Sequence, residues 1–236
     1  MSEPLVLVPG MMSDARVFMP QIVELTKTHS VQVAPVSQAD SIREMAHDVL
    51  RGAPEQFALA GHSMGGIVAM EVLRQAPERV SKLALISTSA TTESPAQAAE
   101  REPLMVRARA GRLAEVMEET LRADVFFDGP ARSQILNLIQ EMATRLGADV
   151  FVRQSRALQS RPDQQRTLRT TRIPVLVLGG ENDRLTPPAR HEFIAGLVER
   201  ADLKILPNAG HLPMVEAADA VTEALRNWLN GPLVLR

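Results

Sequence analysis

The 236-residue chain has no cysteine. That excludes disulfides, a thiolate nucleophile and cysteine-ligated zinc or iron–sulfur centres. It has no tyrosine and a single tryptophan, Trp228, so aromatic platforms for stacking nucleobases are not expected. Neither sign of charge is in excess: the formal net charge is −2, which gives no reason to expect nucleic acid or an anionic membrane as a partner. Long hydrophobic runs are also missing. The run Leu5–Val8 is too short for a signal-peptide core or a membrane span, and Met1-Ser2-Glu3-Pro4 has no basic character. These absences predict a cytoplasmic, soluble protein with no metal and no cofactor, whose partner is a small molecule. The length suits one domain with a full core and room for an inserted subdomain.

What the chain does contain is a recurring pattern of short apolar runs separated by helical periodicity. Strands are predicted at Leu5–Val8, Val31–Val36, Gln56–Ala60, Lys82–Ser87, Pro174–Leu178 and Leu203–Leu206. Their Leu- and Val-rich character without polar alternation suits strands buried on both faces. Helices are predicted between them, at Pro20–Thr28, Ser41–Arg51, Met64–Gln75, Pro188–Glu199 and Ala217–Leu229. The expectation is a doubly wound α/β fold with a mostly parallel sheet of about six strands. Gln32 and Pro35 suit an edge position for the second strand. Between Ser87 and Pro174 only helical patterns occur, broken at Gly111, Asp128-Gly129-Pro130 and Gly147. That stretch is several times longer than a crossover requires. Residues 91–170 are therefore expected to form an all-helical lid inserted into a core made of 1–90 and 171–236. Its arginines, including Arg101, Arg107, Arg109, Arg112, Arg153 and Arg156, are interspersed with Glu115, Glu118 and Glu119. Most are expected on a solvated face; any that point inward would favour an acidic substrate.

The chemistry-bearing feature is the run Gly61-His62-Ser63-Met64-Gly65-Gly66. An apolar strand leads into G-x-S-x-G, which leads into an apolar helix, the pattern of a nucleophile elbow. A serine hydroxyl attacks only when a base takes its proton and donors await the oxyanion. Five histidines are available. His29 and His47 are expected at the surface, His191 in an amphipathic helix, and His62 as a packing residue, because neighbours at a tight elbow point apart. His211 follows the last predicted strand and so shares the carboxyl edge of the sheet with Ser63. Asp183 lies just past the preceding strand as the candidate acid, with Glu181 as its competitor. The oxyanion donors are expected to be the amides of Met64 and of Met11, the latter in the loop Val8-Pro9-Gly10-Met11-Met12.

These residues resemble the α/β-hydrolase superfamily, in particular compact bacterial members with a helical lid. The resemblance rests on Gly61-His62-Ser63-Met64-Gly65-Gly66, on Gly180-Glu181-Asn182-Asp183-Arg184-Leu185-Thr186-Pro187, and on Gly210-His211 followed by Glu216. It implies Ser63 as nucleophile, Asp183 as acid and His211 as base, with the first and third strands adjacent. It also implies a serine hydrolase of a small carboxylic ester, thioester or lactone. The alternatives are a C–C bond or enol-lactone hydrolase in a degradation pathway, or a ligand-binding receptor that keeps the fold with little turnover. The chain departs from the family in carrying Pro9-Gly10 where many relatives have His-Gly, and in lacking the N-terminal antiparallel hairpin. Met12, Met105, Phe126, Phe127, Phe151, Leu185 and Leu212 are the candidates for an apolar substrate pocket.

Overall fold

A computed structural model describes residues 3–231. Its centre is a six-stranded sheet in the order β2-β1-β3-β4-β5-β6. The strands are β1 (Leu5–Val8), β2 (Val31–Val33), β3 (Phe57–His62), β4 (Val80–Ile86), β5 (Val175–Gly180) and β6 (Ala201–Leu206). All pairings are parallel. The predicted doubly wound sheet is thus observed, with β1 beside β3 and no strand before β1 among the described residues. β2 is shorter than predicted. It ends before Pro35, which has no N–H to extend the ladder, and it lies at the sheet edge where the sequence placed it.

Side chains alternate between the two faces of each inner strand, as the period of two demands. Leu5 and Leu7, Ala58 and Ala60, Ala84 and Ile86, and Leu176 and Leu178 enter one apolar core. Val6 and Val8, Phe57 and Leu59, Leu83 and Leu85, and Val175 and Val177 enter the other. Both faces are buried, so the strands read as unbroken apolar runs.

Helices α1 (Met19–Leu25), α2 (Ile42–Gly52) and α3 (Met64–Gln75) follow β1, β2 and β3, apart from a short 3₁₀ turn before α1. After β4 the chain forms α4 (Pro95–Arg107), α5 (Leu113–Thr120), α6 (Arg132–Leu146), α7 (Ala148–Gln159) and α8 (Gln165–Thr170) before it returns as β5. Then come α9 (Pro188–Leu197), the single turn α10 (Pro213–Glu216) and α11 (Ala218–Asn230). Ser41 caps α2 and Ser94 closes a capping box with Gln97 on α4, satisfying first-turn amides that otherwise lack partners. Gly111 and Gly147 adopt positive φ at the breaks between helices, a region that L side chains avoid.

Sequence periodicity found α4 to α7 but not α8, whose six residues are too few to show a period. α8 packs against α3 and α9, and its Leu168 joins the core that holds Val175 and Val177. Buried residues of α4, α6 and α7, such as Met105, Met142 and Phe151, share one core with Leu5, Leu7 and Trp228.

Candidate active site

The carboxyl ends of β1, β3, β4 and β5 and the loop after β6 open onto one cleft of ≈ 690 Å³. Ser63 stands at the turn between β3 and α3 with φ 52° and ψ −118°. A non-glycine residue in this region is strained, and the strain persists only where its surroundings enforce it. The enforcement is visible. The Ser63 amide donates to the Ile86 carbonyl at 2.9 Å, and the Thr88 hydroxyl donates to the Ser63 carbonyl at 2.7 Å. A Cβ on Gly65 would fall well inside contact with the carbonyl oxygens of Val8 and Pro9. The start of α3 can therefore approach β1 only with glycine at that position.

The structure brings Ser63, His211 and Asp183 together, with His211 between the other two. His211 Nε2 lies 3.1 Å from Ser63 Oγ, and its Nδ1 lies 2.9 Å from Asp183 Oδ2. Asp183 is buried, and burial alone would raise its pKa. The adjacent His211 and hydrogen bonds from Thr186 outweigh that and hold it down, at about 2. Those bonds run from the Thr186 amide to Oδ1 at 2.8 Å and from the Thr186 hydroxyl to Oδ2 at 2.5 Å. The Leu185 amide adds a third at 2.9 Å. Asp183, not its competitor Glu181, reaches the imidazole.

His62 does more than pack. It is buried against His211, with ring centroids 5.1 Å apart. Its Nε2 donates to the His211 carbonyl at 2.8 Å. Burial, together with the nearby His211, pushes its pKa down to about 3, so at neutral pH it is an uncharged donor through Nε2. Adjacency to Ser63 hid this, because the contact is with a residue 149 positions away.

The first-strand loop lies beside the elbow. Met12 has φ 52°, and its amide donates to Gln154 Oε1 at 2.8 Å. Gln154, on α7, also donates through Nε2 to the Val36 carbonyl at 3.0 Å. The amides of Met11 and Met64 have no acceptor among the described residues. A second tether joins the helical segment to the site. The His211 amide donates to the Val125 carbonyl at 2.9 Å. Glu216 accepts from the Phe127 amide at 2.7 Å and the Leu212 amide at 2.8 Å.

Of the pocket candidates, Leu185 and Leu212 line the cleft. Met12, Met105, Phe126, Phe127 and Phe151 do not, which corrects the expectation for those five. Met12, Met105, Phe126 and Phe151 are consumed by the core, and Phe127 acts through its backbone at Glu216. The apolar lining comes instead from Met11, Ile67, Leu104, Met117, Leu121, Ile139 and Leu158. Apolar helix residues that face the core and those that face a cleft share one periodicity, so sequence alone does not separate them.

Residues 5–224 match the model of the alpha/beta hydrolase family, and the chain belongs to that family. Among curated proteins it is 25% identical over 203 residues to the pimeloyl-[acyl-carrier protein] methyl ester esterase of Neisseria meningitidis serogroup C, covering 84% of this chain and 79% of the relative. A solved thermophilic esterase from Thermogutta terrifontis superposes with a TM-score of 0.88 at 26% identity, over 97% of this chain and 90% of that one. The enol-lactonase of Burkholderia xenovorans LB400 superposes with a TM-score of 0.83 at 21% identity, over 98% and 93% of the two chains, a likeness of fold. No helix among the described residues is long and apolar enough to cross a membrane, and no group of His, Asp and Glu is arranged to hold a metal ion.

Proposed function

We propose that the chain hydrolyses a small carboxylic ester, thioester or lactone through an acyl-enzyme on Ser63. The observation that carries this reading is the hydrogen-bonded run Ser63–His211–Asp183, at 3.1 Å and 2.9 Å, in an open cleft. Ser63 Oγ attacks the carbonyl carbon as its proton passes to His211 Nε2. The imidazolium is stabilised by Asp183, whose carboxylate stays ionised. The tetrahedral oxyanion is received by the amides of Met11 and Met64. His211 then delivers its proton to the leaving alkoxide or thiolate. A water repeats the sequence on the acyl-enzyme, releasing the acid and restoring Ser63. The two relatives named as esterases, at 25% and 26% identity, support ester cleavage over the other reactions this fold hosts.

The helical segment, residues 91–170, is the lid, and α4 to α7 form the part that roofs the cleft. Tethers through Gln154 and Glu216 hold that roof to the catalytic loops. A cysteine-free composition suits work in the cytoplasm.

The test is a panel of p-nitrophenyl esters and lactones together with fluorophosphonate labelling, applied to wild type and Ser63→Ala. Wild type should label at Ser63 and turn over esters. Ser63→Ala should not label, and its turnover should drop to the residue that binding and the oxyanion hole supply, about 10³–10⁴ over water. Equal turnover by Ser63→Ala would sink the assignment.

A further inference from the structure

The cleft is not uniformly apolar. Arg101, Arg161 and Arg190 contribute to its wall. Arg101 and Arg161 share one carboxylate, that of Glu93, whose side chain is 4% exposed. Arg101 Nε reaches Glu93 Oε1 at 3.0 Å and Oε2 at 2.9 Å, and Arg161 Nη1 reaches Oε1 at 3.1 Å. Arg161 Nε also donates to the Thr91 carbonyl at 2.9 Å. This trio clips α4 and the end of α7 to the loop after β4, so Glu93 is fully occupied.

Arg190 is different. It rises from the first turn of α9, just beyond the loop that holds Asp183, and its Nη1 donates to the Ser89 hydroxyl at 3.2 Å. No carboxylate among the described residues lies within ion-pair distance of it, and its Nε and Nη2 have no acceptor there. Burial pushes the Arg161 pKa down despite Glu93, with Arg101 and Arg190 each adding repulsion, so Arg161 lies within the field of both. The other acids on the cleft wall do not answer this charge. Glu119 is paired with Arg107 at 2.5 Å, and Glu100 is exposed on α4. Arg190 thus sets a cation with no carboxylate partner among the described residues beside Ser89, the residue after Thr88, whose hydroxyl holds the Ser63 carbonyl. Arg101 Nη1 extends to 4.0 Å from Met11 Sδ, beside the proposed oxyanion loop.

We propose that the cleft carries an anion subsite centred on Arg190, with Arg161 and Arg101 behind it, and that the preferred substrate is an ester bearing a second, ionised carboxylate. The proposal rests on the ester-hydrolase reading above. A planar guanidinium with free N–H edges matches a carboxylate in two parallel hydrogen bonds. Part-enclosure in the cleft makes such a bond worth more than at an open surface. A substrate carboxylate would give Arg190 the counter-charge that the described residues do not supply.

The test compares monomethyl esters of dicarboxylic acids of four to six carbons with methyl esters of the corresponding monocarboxylic acids, followed by pH-stat. Acetate esters of hydroxy acids and of matched alcohols probe the leaving-group side. Wild type should favour the carboxylated member on at least one side by about tenfold or more in kcat/KM, and the preference should shrink as salt is raised. Arg190→Gln should lose most of that preference through KM, and Arg190→Lys should keep part of it. The quantity read is the ratio of carboxylated to neutral ester within each variant, so a general loss of fold or activity cancels. Neutral esters cleaved by wild type with no charge preference would overturn the subsite and leave the hydrolase intact. So would a preference that Arg190→Gln leaves unchanged. If wild type cleaves neither set, the hydrolase reading itself falls, and this inference with it.

Discussion

At the scale of single residues, the site depends on charges and protons that are tightly specified. Asp183 accepts from His211, from Thr186 twice and from Leu185. These contacts hold its pKa at about 2, so it is an anion at neutral pH. His62 presents the opposite case, a buried base kept neutral. In the unfolded chain it takes up a proton near its ordinary value of 6.5, but in the folded protein only near 3. Between those values the unfolded state binds more protons, so stability is present above pH 6.5 and is lost as pH falls toward 3. Buried His191, also shifted down, acts in the same direction. Asp183 adds nothing to this window, because its lowered pKa costs stability only below its ordinary value of 3.8. His62 alone should cost about 2 kcal/mol on going from pH 7 to pH 5. Urea unfolding of wild type and His62→Gln at both pH values checks this. His62→Gln should show a drop smaller by that amount, and an identical drop in both proteins would refute the assignment.

At the scale of elements, the cleft is assembled by tethers between segments far apart in the chain. The sequence placed Pro9-Gly10 where relatives carry His-Gly and so left the shape of the oxyanion loop open. The structure supplies a different support. Gln154, on α7, spans from the Met12 amide to the Val36 carbonyl, tying the loop after β1 to the segment after β2. With Met12 held this way, the Met11 amide is left without an acceptor among the described residues. Gln154→Leu frees the loop and leaves a buried amide unpaired. It should lower kcat by about 10²-fold, the scale of a misplaced oxyanion donor, with a smaller change in KM. Gln154→Glu keeps the acceptor for Met12 and should retain more of the turnover. Equal loss of kcat in both variants, or a change confined to KM, would argue that Gln154 serves stability alone. Glu216 plays the matching part on the other side, joining Phe127 to the loop that carries His211. Neither tether is visible as a motif, since each pairs a common polar side chain with backbone that any residue could provide.

At the scale of the whole molecule, the helical segment and the sheet share an apolar core. Met105, Met142 and Phe151 from the segment belong to the same cluster as Leu5, Leu7 and Trp228. Removing the segment would expose that face, so the chain should unfold as one unit. The single tryptophan is on α11, outside the segment, whereas far-UV circular dichroism also reports α4 to α7. The two signals should therefore follow one transition in urea, with the same midpoint. An earlier loss of ellipticity, with Trp228 fluorescence unchanged, would mean that the segment melts separately.

The parallel sheet, the elbow at Ser63 and the order of Ser63, Asp183 and His211 were legible in the amino-acid order. These features are local: burial on both faces makes a strand uniformly apolar, a tight elbow demands small residues, and each catalytic candidate follows the end of its own strand. Only packing settled which methionines and phenylalanines reach the cleft, how His62 contacts His211, how Gln154 and Glu216 fasten the loops, and that Arg190 stands without a counter-charge among the described residues. Those outcomes depend on which residues become neighbours once distant segments pack together. A helix that must cover a core and also line a cleft carries the same apolar periodicity for both tasks, and a buried polar group shows in the sequence only its own type, not the partner that satisfies it.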